Sequence, residues 1–218
     1  MLPYLRVITI DKQHSDVYGH VNNSHYPSFF SVPQSWLGVD PKHRLAVYKQ
    51  TIDYVKELLP GQRVTVLSKP AFTSRHIILD QVLANEKETY AKAQTLLCRK
   101  EKRETKENTI PFHTIPFYCE AMRENLQTSA GFKDETLLKH NLQLVVVRAV
   151  YDILGEVAGK IGIEGRIFPY RGGARLSMMH EVYDEHDVVA CCITEHAFRD
   201  ATTRKPIRPP EWIKYVLA

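Results

Sequence analysis

The sequence predicts an α+β fold in which an antiparallel sheet wraps around one central helix, and it predicts that arrangement twice in tandem. Three observations carry the expectation. Strand-like runs flank a single aromatic-faced helical stretch in residues 1–100, a hairpin at 75–99 has a counterpart at 175–199, and a strong apolar stripe precedes that counterpart.

The run Tyr4 to Ile10 is β-branched and apolar, and it ends at the polar cluster Asp11 to Ser15. This is the pattern of a first strand. Tyr26, Phe29, Phe30, Pro33 and Trp36 then recur at helical spacing and mark one face of a helix. Pro27 is tolerable if that helix starts near Asn22 or Asn23, whereas Pro33 should kink or shorten it. Leu45–Val55, Gln62–Ser68, Arg75–Ala84 and Thr89–Cys98 follow as strands, with breakers at Pro60-Gly61, Pro70 and residues 85–88.

The second half repeats this order. Residues 75–99 and 175–199 align without a gap at an offset of 100, with charged turns at 85–88 and 184–187. Upstream, Asp134 to Ala158 reads as an amphipathic helix with Leu138, Leu142, Val145, Val146, Ala149, Val150, Ile153 and Val157 as its stripe, closed by Gly159. The charged stretch 100–111, ending at Pro111, is the expected linker, which divides the chain into units 1–105 and 106–218.

Composition narrows the class further. The 218 residues are 44% hydrophobic and 25% charged, which excludes disorder, collagen and coiled coil. No apolar run is long enough to cross a membrane, and the first residues resemble neither a secretory signal nor a transit peptide, so the cytosol is the expected location. The densest basic stretch, 99–106, is interleaved with Glu101 and Glu104, so no nucleic-acid surface is expected. The net charge of +4 is compatible with an anionic small molecule or an acidic carrier protein. Cys98, Cys119, Cys191 and Cys192 form neither a disulfide framework nor a CxxC pair, and HExxH is absent, so neither a metal nor a cofactor is expected. His180, Glu181, Glu185 and His186 alternate along a strand and read as a solvated hairpin tip rather than as metal ligands.

Chemistry concentrates in Asp16-Val-Tyr-Gly-His-Val-Asn-Asn23, between the first strand and the first helix. Gly19 permits a tight turn. His20, Asn22 and Asn23 sit at the helix entrance, where free N–H groups and the positive end of the helix dipole can hold a developing oxyanion. Asp16 and His20 add a carboxylate and an imidazole within reach of the same atom.

DVYGHVNN followed by Tyr26 resembles the signature of the hotdog-fold thioesterases, the 4-hydroxybenzoyl-CoA and acyl-ACP thioesterase group. The resemblance covers residues 1–100. It implies a hotdog fold working as paired units, here a tandem double hotdog. It also implies an acyl thioester bound between units, with its carbonyl polarised by amides at the helix start. The family's Asp falls on Asp16, and Tyr18, Gly19, Val21, Asn22, Asn23 and Tyr26 become substrate-binding positions. Thr51-Ile-Asp-Tyr-Val-Lys-Glu-Leu58 is similar to a second segment of the plant-type acyl-ACP thioesterases, which places Glu57 on a catalytic Glu and His20 on a catalytic His. Tyr18 stands where that subfamily has Asn, and Leu58 where it has Cys. The second half lacks GHVNN, so it is expected to be a degenerate unit, leaving one site per chain. The implied activity is hydrolysis of acyl-CoA or acyl-ACP, with a homo-oligomer through hotdog sheets as a possible assembly. A hotdog dehydratase and a non-catalytic acyl-thioester binder are the alternatives.

Overall fold

The structure is a computed structural model that describes residues 2–16, 18–40, 43–101, 109–170, 175–185 and 187–216. β1 (Tyr4–Thr9), β2 (His43–Tyr54), β3 (Arg63–Phe72), β4 (His76–Ala84) and β5 (Thr89–Glu101) lie on the predicted alternating runs. The exception is Pro70, expected as a breaker: β3 runs on through it, because beyond Ser68 it no longer pairs with β1 and is an edge, where proline is tolerated. The second half supplies β6 (Leu142–Ile153), β7 (Ile161–Tyr170), β8 (Arg175–Asp184) and β9 (Asp187–Asp200). All nine strands form one sheet in the order β1-β3-β4-β5-β2-β6-β9-β8-β7, and each pair of neighbours is antiparallel. Within the sheet the halves therefore meet at one seam, β2 against β6.

The helices depart most from expectation. α1 is a single turn, Tyr26–Phe29, with a separate 3₁₀ turn at Gln34–Leu37. Pro33 ends the helix between them, as its missing N–H requires. The helix expected over Asp134–Ala158 does not form. α3 occupies only Asp134–Lys139, Asn141 takes a left-handed φ of 56°, and the rest is β6. Leu144-Val-Val-Val147 explains the difference, because a dense β-branched run satisfies helical spacing by chance while its stiff χ1 angles favour a strand. The long helix of this half is instead α2 (Ile115–Ser129), with Pro116 in its first turn. Part of the expected linker is built into the fold, since Ile110 N–H donates to Val157 C=O and Thr109 bridges Ala158. The expected unit boundary at 105/106 lies outside the described residues. The last helix, α4 (Glu211–Val216), closes the chain against Phe132, Leu176 and Phe198 through Ile213.

Corresponding pairings in the two halves differ by 99 positions rather than 100. Ile52 pairs Ala93 and Tyr151 pairs Cys192; Gln81 pairs Ala93 and His180 pairs Cys192. Even the irregularities coincide, at Val47/Lys49 and Val146/Arg148, and at Leu83/Ala84 and Val182/Tyr183. A one-residue slip exchanges the faces of a strand. These strands carry apolar residues on both faces, such as Ile78 and Leu79, so the hydrophobic pattern alone leaves the register open by one.

At the corrected register His180 is the counterpart of Gln81. Far from forming a solvated tip, it is fully buried beside Gly165 and the α2 side chains of Met122 and Leu126. Both its ring nitrogens lack partners among the described residues. His186 lies outside the described residues. Burial, reinforced by the Arg123 guanidinium, holds the His180 imidazole down to about 4, with Glu120 opposing. An unfolded histidine titrates near ~6.5, so the unfolded chain binds more protons between about pH 6.5 and 4. Stability from this residue is full above that window and is lost as the pH falls through it, by about 3 kcal/mol for a shift of this size. A His180→Gln variant should flatten this part of the Tm-against-pH curve relative to the wild type, and an unchanged slope would count against the assignment.

Candidate active site

The turn from Ser15 to Val21 is pinned at both ends. Ser15 bridges Val21, and Asp16 N–H donates to His20 C=O at 2.7 Å. Gly19 sits at the apex with φ +76°, a conformation that disfavours any Cβ. Asp16 Oδ1 accepts from the N–H groups of Tyr18 (2.9 Å) and His20 (3.1 Å), which leaves Oδ2 as the oxygen available to other partners. Asn22 caps the following turn, its Oδ1 accepting from Ser24 N–H at 2.9 Å.

The amides at the helix entrance are mostly engaged. Val21 N–H donates to Leu58 C=O, Asn22 N–H to His14 C=O and His20 N–H to Asp16. Of the four amides from His20 to Asn23, only that of Asn23 has no acceptor among the described residues. The expectation of a bank of amides over this stretch thus reduces to one donor. Tyr54 Oη donates to the Asn23 carbonyl at 3.3 Å and packs edge-on against Tyr26, which ties residue 23 to the end of β2.

Beyond the Asp53–Arg148 pair the β2 and β6 strands part, and the gap opens into a cavity of about 660 Å³. Its walls come from both halves: the turn and Tyr54–Glu57 from the first, α2, Asp134, the start of β6, Arg199 and Arg204 from the second. Asp16, Tyr18, His20, Val21, Asn22, Asn23, Tyr26 and Glu57 all line it. Gly19 stands behind them, at the apex of the turn that carries them.

Glu57 is the hub of the charges here. Its Oε2 lies 3.5 Å from His20 Nε2, and its two oxygens take the guanidiniums of Arg199 and Arg204. Arg199 is held in turn by Gln143 Oε1 at 2.8 Å. The Tyr18 hydroxyl, raised by burial and by its hydrogen bond to Asp134, ties the turn to α3. Arg199, Arg204, Gln143 and Asp134 are not legible in the sequence, because their partners lie from 56 to 147 residues away and leave no local signal.

Sequence and structure comparisons agree with this architecture. Residues 8–99 match the model of the acyl-ACP thioesterase C-terminal domain. No curated protein matches the chain in sequence. Among solved structures, the chain superposes with a TM-score of 0.71 on a protein described as an oleoyl thioesterase from Lactobacillus plantarum, at 9% identity over 90% of this chain and 96% of that one. An acyl-ACP thioesterase from Bacteroides thetaiotaomicron gives 0.63 at 8% identity, over 89% and 97%. The 12:0-ACP thioesterase from Umbellularia californica gives 0.61 at 10% identity, over 94% of each chain. The large antiparallel sheet and these neighbours are those of a hotdog fold. The family resemblance carried by the turn motif is supported by the match over residues 8–99.

Proposed function

We propose that this protein is an acyl-thioester hydrolase that cleaves acyl-CoA or acyl-ACP to a free acid and a thiol. The observation that carries the reading is the convergence of Asp16, His20–Glu57 and the free Asn23 N–H on one cavity at the seam. A carbonyl oxygen placed on Asn23 N–H receives a preorganised donor as it becomes negative. Asp16 Oδ2 takes a proton from water as the water oxygen bonds to the carbonyl carbon. The C–S bond then breaks, and the proton passes to the departing thiolate. His20 orders the approach of water or thiol, and Glu57, with both oxygens held by arginines, orients His20 rather than acting as the base. The family match over the half that carries these residues supports hydrolysis over dehydration or simple binding.

In this reading the chain is a tandem double hotdog of units 1–105 and 106–218. The common offset of 99 supports it, with α2 taking the place of α1 and the second unit lacking a turn like 16–23. One site per chain follows, acting in the cytosol, with the hotdog sheets as the surface for association between chains. Among the described residues no helix is long and apolar enough to cross a membrane.

The mechanism needs no side-chain nucleophile of the serine type. Ser15 and Ser24 lie outside any GxSxG elbow. Hydrolysis should therefore favour thioesters strongly over matched oxygen esters, because thiolate is the better leaving group, and it should survive serine-directed fluorophosphonates. Stoichiometric labelling of a serine with loss of activity would overturn the mechanism.

A further inference from the structure

The sheet is symmetric about its seam except at its edges. β6, β9, β8 and β7 stand on one side as β2, β5, β4 and β3 stand on the other, and only the first half adds a further strand, β1, outside β3. The second half has no chain to spare for that place. The 3₁₀ turns Asn23–His25 and Phe112–Thr114 lead into α1 and α2, and β1 lies 14–19 residues before the first of them. The same distance before the second falls at 93–98, inside β5. Among the described residues β7 therefore ends the sheet with one edge unpaired. Burial records the difference. Val64 and Val66 on β3, beside β1, are each 1% exposed, whereas their counterparts Ile161 and Ile163 on β7 are only half-buried. An edge with unpaired N–H and C=O groups beside apolar side chains is a template for another strand.

β7 is complementary to itself. In an antiparallel pair opposite residues share a face, so identical strands related by a two-fold axis are centred on a residue. With the axis at Gly165, Glu164 stands opposite the partner's Arg166, Gly162 opposite the partner's Phe168 and Ile163 opposite the partner's Ile167, each pair formed twice. Glu164 already faces Glu181 on β8, a like-charge pair that a cation on its free side relieves. Neither Glu164 nor Arg166 has an ion-pair partner among the described residues. A Cβ built on Gly162 meets nothing within 4 Å, so there is room over it for the ring of Phe168, which is 40% exposed. Moving the axis one residue either way sets Glu164 against Glu164 or Arg166 against Arg166. β1, at the other end of the sheet, offers no such match: an axis at Arg6 opposes two arginines, and an axis at Val7 leaves Arg6 facing Ile8.

We propose that two copies of this chain associate by antiparallel pairing of β7 with β7 about Gly165, which joins their sheets into one. The pairing rests on the reading that chains associate through their sheets, and it is independent of hydrolysis, since no β7 residue lines the seam cavity.

The test is sedimentation velocity of the full chain over a wide range of concentration, on the wild type, Glu164→Arg, Arg166→Glu and an equal mixture of the two variants. The wild type should pass reversibly from monomer to dimer as concentration rises. Each single variant sets like charges opposite each other twice per dimer and should raise the dissociation constant roughly tenfold or more. In the mixture every Arg meets a Glu again, so a heterodimer should form with wild-type affinity. The double exchange, Glu164→Arg with Arg166→Glu in one chain, should dimerise like the wild type, and it decides the matter if a single variant does not fold. Thiol release from an acyl-CoA, followed on the same samples, reports the hydrolytic reading separately. A wild type that stays monomeric, or a dimer indifferent to either single variant, would overturn the proposal. So would a mixture and a double exchange that fail to recover the dimer, or assemblies that grow beyond it, as pairing of β7 with β1 of the next copy would give.

Discussion

Asp16→Asn should lower turnover of an acyl thioester by at least ~10²-fold while leaving the melting temperature within experimental error. The asymmetry follows from how the two oxygens are used. Oδ1 accepts from the Tyr18 and His20 amides, and an asparagine Oδ1 accepts equally well, so the turn survives. Oδ2 is replaced by an amide nitrogen that can neither take a proton from water nor approach the carbonyl as a base. Measured kcat and Tm of the purified variant separate the two effects. Full activity in a folded variant would remove Asp16 from the mechanism. A variant that loses activity only because its Tm falls would show that the carboxylate serves the turn alone.

Glu57→Ala should have the second-largest effect, and unlike the Asp16 change it should affect both activity and stability. Arg199 is mostly buried and, among the described residues, would keep only Gln143 as a side-chain partner, while His20 would lose its carboxylate. Losing a charge-assisted hydrogen bond of this kind costs about 1.5–3 kcal/mol. Arg204 is far more exposed, so its pair adds little. Turnover should fall roughly 10- to 100-fold as His20 loses its orientation, the scale for losing a partner that orients a functional side chain. Glu57→Gln keeps one acceptor for the arginines, so it should recover part of the stability but little of the activity. Turnover within twofold of wild type in Glu57→Ala would reduce Glu57 to a tie between the two halves.

The parts of this architecture that repeat locally were legible in the sequence. Alternation and breakers placed β1 to β5, and the β4–β5 hairpin pointed to β8–β9, although its register came out one residue off because both strand faces are apolar. β6 was not legible as a strand. Its valine run satisfies helical spacing, and only pairing with β2 on one side and β9 on the other decides its form. The site shows the same division. Asp16, His20, Asn23 and Glu57 lie in two short motifs and were visible as such. Which amide remains free depends on acceptors at His14 and Leu58, and the charge hub depends on Arg199 and Arg204 from the far end of the chain. Those are facts of tertiary pairing, with no periodicity to announce them.

The central claim, that the seam cavity hydrolyses acyl thioesters, is tested most directly by thiol release from acyl-CoA and acyl-ACP panels with the wild-type chain and Asp16→Asn side by side. The wild type should release thiol and free acid in equal amounts, saturably and in steady state, from at least one of the panel members, and the variant should lose nearly all of that release. A folded wild-type protein that binds these thioesters but releases no thiol from any of them would contradict it.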